Sequence, residues 1–190
     1  MKRLALAALF VVTCIGFAQA QTTAKLGLYA DPSGGLESCQ ATIDIFGTDS
    51  IYLYYVRGNG NDLGFGVEFK GVLSNTDAEF SPAPRWTNLI TLSQGDINTG
   101  IALVSNACMG VSQAYVWLGR IAVFYGGFDT ATPFTARILE HPETGDIRIS
   151  RCDLAQTIDV VRGSWFVFNG ICDLAVVPTS WGAIKSLYAK

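Results

Sequence analysis

The chain has 190 residues, a length that fits one domain with at most a small appendage. Charged residues make up 15% and aromatics 12%, a balance that buries apolar surface and excludes a disordered chain. The net charge of -3 with no basic block excludes an electrostatic nucleic-acid binder, and the single histidine, His141, removes most imidazole-based metal and acid–base chemistry.

In chain order, the first element is an address. Met1, Lys2 and Arg3 are a basic start, residues 4–17 are an apolar run, and Ala18-Gln19-Ala20 is a small-x-small cleavage site. That order predicts a secretory signal peptide over residues 1–20, cleaved after Ala20. The run falls short of the roughly 20 apolar residues that a spanning helix needs, and no later run reaches that length, so no membrane span is expected. Thr13 before Cys14, and the apolar residues after it, argue against a lipoprotein cysteine. The predicted location is secreted or in the cell envelope, including the periplasm.

Residues 21–177 read as one β domain. Strands are predicted at 25–30, ended by Asp31-Pro32-Ser33-Gly34-Gly35, and at 39–46, closed by Gly47-Thr48-Asp49. Residues 51–56 follow, then the hairpin loop 58–62. In 65–73, Phe65, Val67 and Phe69 alternate with Gly66, Glu68 and Lys70, the pattern of a half-buried strand. Residues 81–84, Ser-Pro-Ala-Pro, mark an irregular crossing. Short strands are expected at 89–92 and 101–104, and a long central one at 115–125. Strands at 134–139 and 147–150 flank the turn residues Pro142, Gly145 and Asp146. Runs at 163–168 and 174–177 complete nine or ten strands with no long helical period, which predicts an all-β, two-sheet antiparallel β-sandwich.

Residues 178–190 differ. Thr179 or Ser180 can cap a short helix in which Trp181, Ile184, Lys185 and Tyr188 follow the i, i+3, i+4, i+7 spacing. A helix this short is marginal alone and must dock on something.

Three pieces carry a resemblance: Gly27-Leu28-Tyr29-Ala30-Asp31 followed by Cys39; Gly64-Phe65-Gly66-Val67-Glu68-Phe69; and the ending Trp181-Gly182-Ala183-Ile184-Lys185-Ser186-Leu187-Tyr188. With them the chain resembles a group of exported bacterial proteins with cohesin-like or immunoglobulin-like β-sandwich cores. The resemblance implies that fold and an exported location. It implies no reaction, and it carries over no dockerin-recognition residues.

Four cysteines remain after cleavage: Cys39, Cys108, Cys152 and Cys172. An even number in an exported chain predicts two disulfides. Three pairings are open. Cys39–Cys108 with Cys152–Cys172 is favoured, since the second pair would close a short loop. No C-x-x-C spacing favours zinc. Asn59-Gly60-Asn61-Asp62 and Asp96-Ile97-Asn98 are oxygen-rich, but each holds one carboxylate, and turn chemistry explains both without calcium. The elbow-like Gly110-Val111-Ser112-Gln113-Ala114 lacks its final glycine, and His141 reads as an exposed turn histidine. Asp44, Glu68 and Asp159 could form a glycosidase pair only if two stand about 5–9.5 Å apart. The glycines around residue 60 precede neither a lysine nor a helix, so no nucleotide or other cofactor is expected.

The expectation is therefore a non-catalytic exported module of the cell envelope or extracellular space, binding or structural, that acts through surface contacts with a protein or glycan partner. The first candidate contact is the tail: Trp181, Ile184, Leu187 and Tyr188 as anchors, with Lys185 at the rim. The alternative is a carbohydrate-binding module. If Ile51, Leu53 and Tyr55 face the core, then Tyr52 and Tyr54 stand on the outer face, and such rings stack on sugars or anchor proteins. Trp117 and Trp165 are further strand-face candidates.

Overall fold

Period-two runs broken by turn residues fold into strands. The computed structural model describes residues 24–32, 38–58, 63–129, 132–152 and 158–172. The expected signal peptide, the loop at 59–62, the strand at 174–177 and the helical tail with Trp181, Ile184, Lys185, Leu187 and Tyr188 lie outside the described residues.

Fourteen strands occur among the described residues: β1 (Lys25–Tyr29), β2 (Gln40–Ala41), β3 (Gly47–Val56), β4 (Gly64–Leu73), β5 (Ala78–Phe80), β6 (Arg85–Trp86), β7 (Ile90–Asp96), β8 (Gly100–Met109), β9 (Tyr115–Tyr125), β10 (Phe134–Leu139), β11 (Arg148–Arg151), β12 (Ile158–Val160), β13 (Arg162–Gly163) and β14 (Trp165–Phe168). They build two sheets. The six-stranded sheet runs β13-β1-β3-β9-β5, with β6 also on β9. The eight-stranded sheet runs β12-β11-β4-β10-β14-β2, with β8 on β4 and β7 on β8. This is an all-β sandwich.

One core fills the space between the sheets. From the six-stranded sheet, Leu26, Leu28, Ile51, Leu53, Tyr55, Leu118, Ile121 and Val123 point inward and are buried. From the other, Val67, Phe69, Leu103, Ala136, Ile149, Phe166 and Phe168 meet them. The rings of Tyr125, Phe134 and Phe168 stack in a column, with centroids 5.4 Å and 4.9 Å apart. Offset stacks of this kind add specificity to the apolar burial that drives folding.

The structure changes three expectations. Gly47-Thr48-Asp49 does not close a strand but opens β3, paired with Tyr125, Phe124 and Val123 of β9. The turn lies just before it: the Gly47 N–H donates to the Asp44 carbonyl (2.9 Å), and Phe46 takes φ 53°. The sandwich is also not wholly antiparallel, because β1–β13 and β14–β2 are parallel pairs.

Third, the disulfides are Cys39–Cys172 and Cys108–Cys152, each with Cα atoms 5.9 Å apart, not the favoured pairing. Sheet order is the reason. β2 runs beside β14, and the Cys172 N–H donates to Gln40 Oε1 (2.8 Å), so Cys39 meets Cys172 at the sheet edge. Gly64, at the head of β4, pairs with both Met109 of β8 and Arg151 of β11, which brings Cys108 to Cys152. In the favoured pairing, Cys39 beside β14 would have to reach the end of β8, with β10 and β4 in between.

Candidate functional site

The outward face of the six-stranded sheet is aromatic. Alternation on β3 sends Tyr52, Tyr54 and Val56 away from the core, and Tyr29 of β1 joins them in a separate cluster. Tyr29 and Tyr54 meet edge-to-face with centroids 5.5 Å apart. The Tyr29 ring folds back over Gly27, where an added Cβ would strike it. The Tyr54 hydroxyl donates to the Pro32 carbonyl (2.8 Å). Both rings are buried, at 7% and 3% exposure. Tyr54 thus stands on the outer face as expected, but it is not the open sugar contact that the sequence reading made it. Burial raises the Tyr29 phenol above its ordinary value, and Tyr115 adds to the shift.

Beside this buried pair the face opens. Tyr52 is half-buried and tilts against Trp117, with centroids 6.2 Å apart. Trp117 and Tyr115 on β9 are 40% and 45% exposed. Arg120 stands directly across from Tyr52 in the register. A bulge between Leu53 and Tyr54 leaves Leu118 as the extra residue on β9; it turns inward, so both Trp117 and Arg120 face outward. The result is an amphipathic surface of Tyr, Trp and Arg, the residue types enriched at protein interfaces.

Two of the cavities lined by described residues open on the outward face of the eight-stranded sheet. One, of about 310 Å³, is lined by Thr135, Arg137, Leu139, Gly163, Ser164 and Trp165. Trp165 is 50% exposed and lies opposite Arg137 in the register. The second, of about 250 Å³, brings Glu68, Gln94, Gly100, His141 and Glu143 together. It forms because the chain leaves β4 at Leu139–Lys70 and rejoins it at Arg148–Glu68, so residues 140–147 loop out over β8. His141 opens the turn as expected, its carbonyl accepting the Thr144 and Gly145 N–H groups, but it is half-buried over Gly100 and not exposed. Its Nδ1 accepts the Glu143 N–H (3.4 Å). Among the described residues no hydroxyl or thiol hydrogen-bonds the imidazole, and Ser112 sits in the exposed turn after β8. Asp44 is exposed just before β3 of the six-stranded sheet, whereas Glu68 is on β4 of the eight-stranded one.

Asp96 Oδ1 accepts the Asn98 N–H (2.8 Å), so that loop is an Asx turn. No group of three or more His, Cys, Asp or Glu side chains able to hold a metal occurs among the described residues. No described helix is long and apolar enough to cross a membrane. Sequence reasoning missed Ile45, Phe46 and Phe128, which cluster at one end of the sandwich. Phe46 and Phe128 meet edge-to-face at 5.3 Å, and Phe128 is 84% exposed.

Comparison with solved structures defines the architecture. A cohesin module from a Clostridium perfringens family 33 glycoside hydrolase superposes with a TM-score of 0.56 at 7% identity, covering 78% of this chain and 98% of that one. A ScaB type I cohesin from Pseudobacteroides cellulosolvens gives 0.46 at 11% identity, covering 80% and 96%. No protein-family model matches the chain, and no curated protein matches it in sequence. The fold is a cohesin-like β-sandwich.

Proposed function

We propose that this chain is an exported, non-catalytic module that binds a protein partner. The open half of the Tyr–Trp face on the six-stranded sheet is the primary contact. The carrying observation is the juxtaposition of Trp117, Tyr115, Tyr52 and Arg120 on a rigid sheet, with the buried Tyr29–Tyr54 pair packed beside them. Rigid aromatic anchors lose little side-chain entropy on binding, and a guanidinium at their edge adds directional hydrogen bonds. The likeness to cohesin modules supports the same reading, as do two disulfides, which persist outside a reducing cytosol. The tail residues Trp181, Ile184, Lys185, Leu187 and Tyr188 are proposed as a second contact with that partner, on their pattern in the sequence alone.

A photo-crosslinking residue at position 117, introduced in the producing cells, tests the reading. The expected product is a cross-link to one protein, which is then purified and titrated against the wild type and Trp117→Ala. Truncating an anchor should weaken that binding roughly 30-fold. Cross-linking to no protein, or equal binding by the variant, overturns the proposal. Glycan binding lost in Tyr52→Ala would replace it with the carbohydrate reading.

A further inference from the structure

We infer that copies of this chain associate head to tail, with the apolar knob Ile45–Phe46–Phe128 of one molecule entering the Trp165–Leu139–Arg137 cavity of the next. The knob is built to protrude. Phe46 holds a left-handed φ of 53°, a conformation a bulky residue adopts only when its surroundings impose it. Its ring is 59% exposed even so, and Ile45 beside it is 43% exposed. Gly126 and Gly127 deliver Phe128 to meet it, the Gly126 N–H donating to the Asp77 carbonyl (2.8 Å).

Charge complementarity names the occupant. The segments that converge on the knob, residues 42–50, 75–80 and 124–129, carry Asp44, Asp49, Asp77, Glu79 and Asp129 and no Lys, Arg or His. The cavity has the opposite sign. Among the described residues Arg137 uses only Nε, donating to Thr135 Oγ1 (3.3 Å), and its terminal nitrogens make no hydrogen bond or ion pair there. Lys70 stands across from Leu139 in the register. Trp165 and Leu139 supply apolar walls, and about 310 Å³ of space lies between them. An apolar knob with an acidic collar thus meets an apolar socket with a basic rim.

The contact has to be intermolecular. The knob caps the ends of β3 and β9 in the six-stranded sheet, while the socket opens on the outward face of the eight-stranded one. Because knob and socket are different surfaces, the contact is heterologous and leaves a free knob at one end of the assembly and a free socket at the other. A contact this small is weak and reversible, so association should rise with concentration and fall with salt.

Analytical ultracentrifugation of the mature, disulfide-bonded chain tests the inference up to about 1 mM. The expected result is a weight-average mass that climbs with concentration in the wild type. Phe128→Ala, which removes the knob, and Arg137→Glu, which inverts the socket, should each weaken association roughly 30-fold or more. Both residues are exposed, so each variant keeps the wild-type melting temperature; Trp165→Ala is an independent socket variant. Mixing Phe128→Ala with Arg137→Glu restores one intact contact and should give dimers that grow no further. A wild type that stays monomeric, a mixture that does not pair, or loss of association in the knob variant without loss in either socket variant overturns the inference.

Discussion

Cys39 and Cys172 lie 133 residues apart in sequence and 5.9 Å apart at Cα, joined where β2 runs parallel to β14. Cys108 and Cys152, 44 residues apart, are joined within the same sheet at the head of β4. A cross-link stabilises mainly by restricting the unfolded chain, and the effect grows slowly with loop size. Replacing Cys39 and Cys172 together with Ser should therefore cost about 2–5 kcal/mol, somewhat more than replacing Cys108 and Cys152. Urea midpoints of the two double variants check the ranking. A non-reducing peptide map that joins Cys39 to Cys108 would refute the arrangement itself.

Gly119 carries a second prediction. It pairs with Trp86 of β6, and an added Cβ would strike the Trp86 ring and approach the Arg85 carbonyl oxygen to 2.8 Å. Its φ is not in the left-handed region, so alanine is penalised here by packing alone. Gly119→Ala should push β6 off β9 and destabilise the fold by about 1–3 kcal/mol. Chemical denaturation measures it; an unchanged midpoint would mean that β6 moves away freely.

The same region shows what the sequence could and could not convey. β9 and β10 are read to the residue, because long apolar runs bounded by glycine and proline have one local solution. The outward position of Tyr52 and Tyr54 is legible too, since strand period alone sets it. Their exposure is not legible: it depends on Tyr29 folding over Gly27 and on Pro32 receiving the Tyr54 hydroxyl, contacts made by another strand and its turn. The start of β3 was hidden because Gly47-Thr48-Asp49 has turn chemistry, whereas the actual turn uses Phe46, a residue with none. Phe128, between Gly-Gly and Asp, reads as plain loop; only the return of β9 beside Phe46 gives it a role. Disulfide pairing failed for the same non-local reason, sheet neighbours being set by topology and not by spacing.

The tail yields a third prediction. If residues 178–190 serve a partner, a chain ending at Val177 should unfold within about 1 kcal/mol of the full-length mature protein, since surface elements away from the core contribute little. Partner binding, measured with the protein captured through position 117, should weaken in the same truncation. A loss of several kcal/mol would instead make Trp181, Ile184, Leu187 and Tyr188 part of the core.

Tyr29 predicts how the fold responds to alkali. The unfolded phenol titrates near the ordinary value of 10.0, and burial, then Tyr115, raises it in the folded chain. Above pH 10.0 the unfolded chain therefore loses this proton while the folded chain still holds it. With fewer protons bound in the unfolded state, stability falls as pH rises, and the contribution is complete only below the unfolded value. Tyr29→Phe keeps the edge-to-face contact with Tyr54 but removes the titrating group. Urea midpoints followed from about pH 8 to pH 11 should decline more steeply in the wild type than in the variant. Other tyrosines and lysines titrate in both proteins, so the difference between the two curves isolates Tyr29. Parallel curves would mean that the ring is solvated in solution and that the outward face is open where the structure shows it closed.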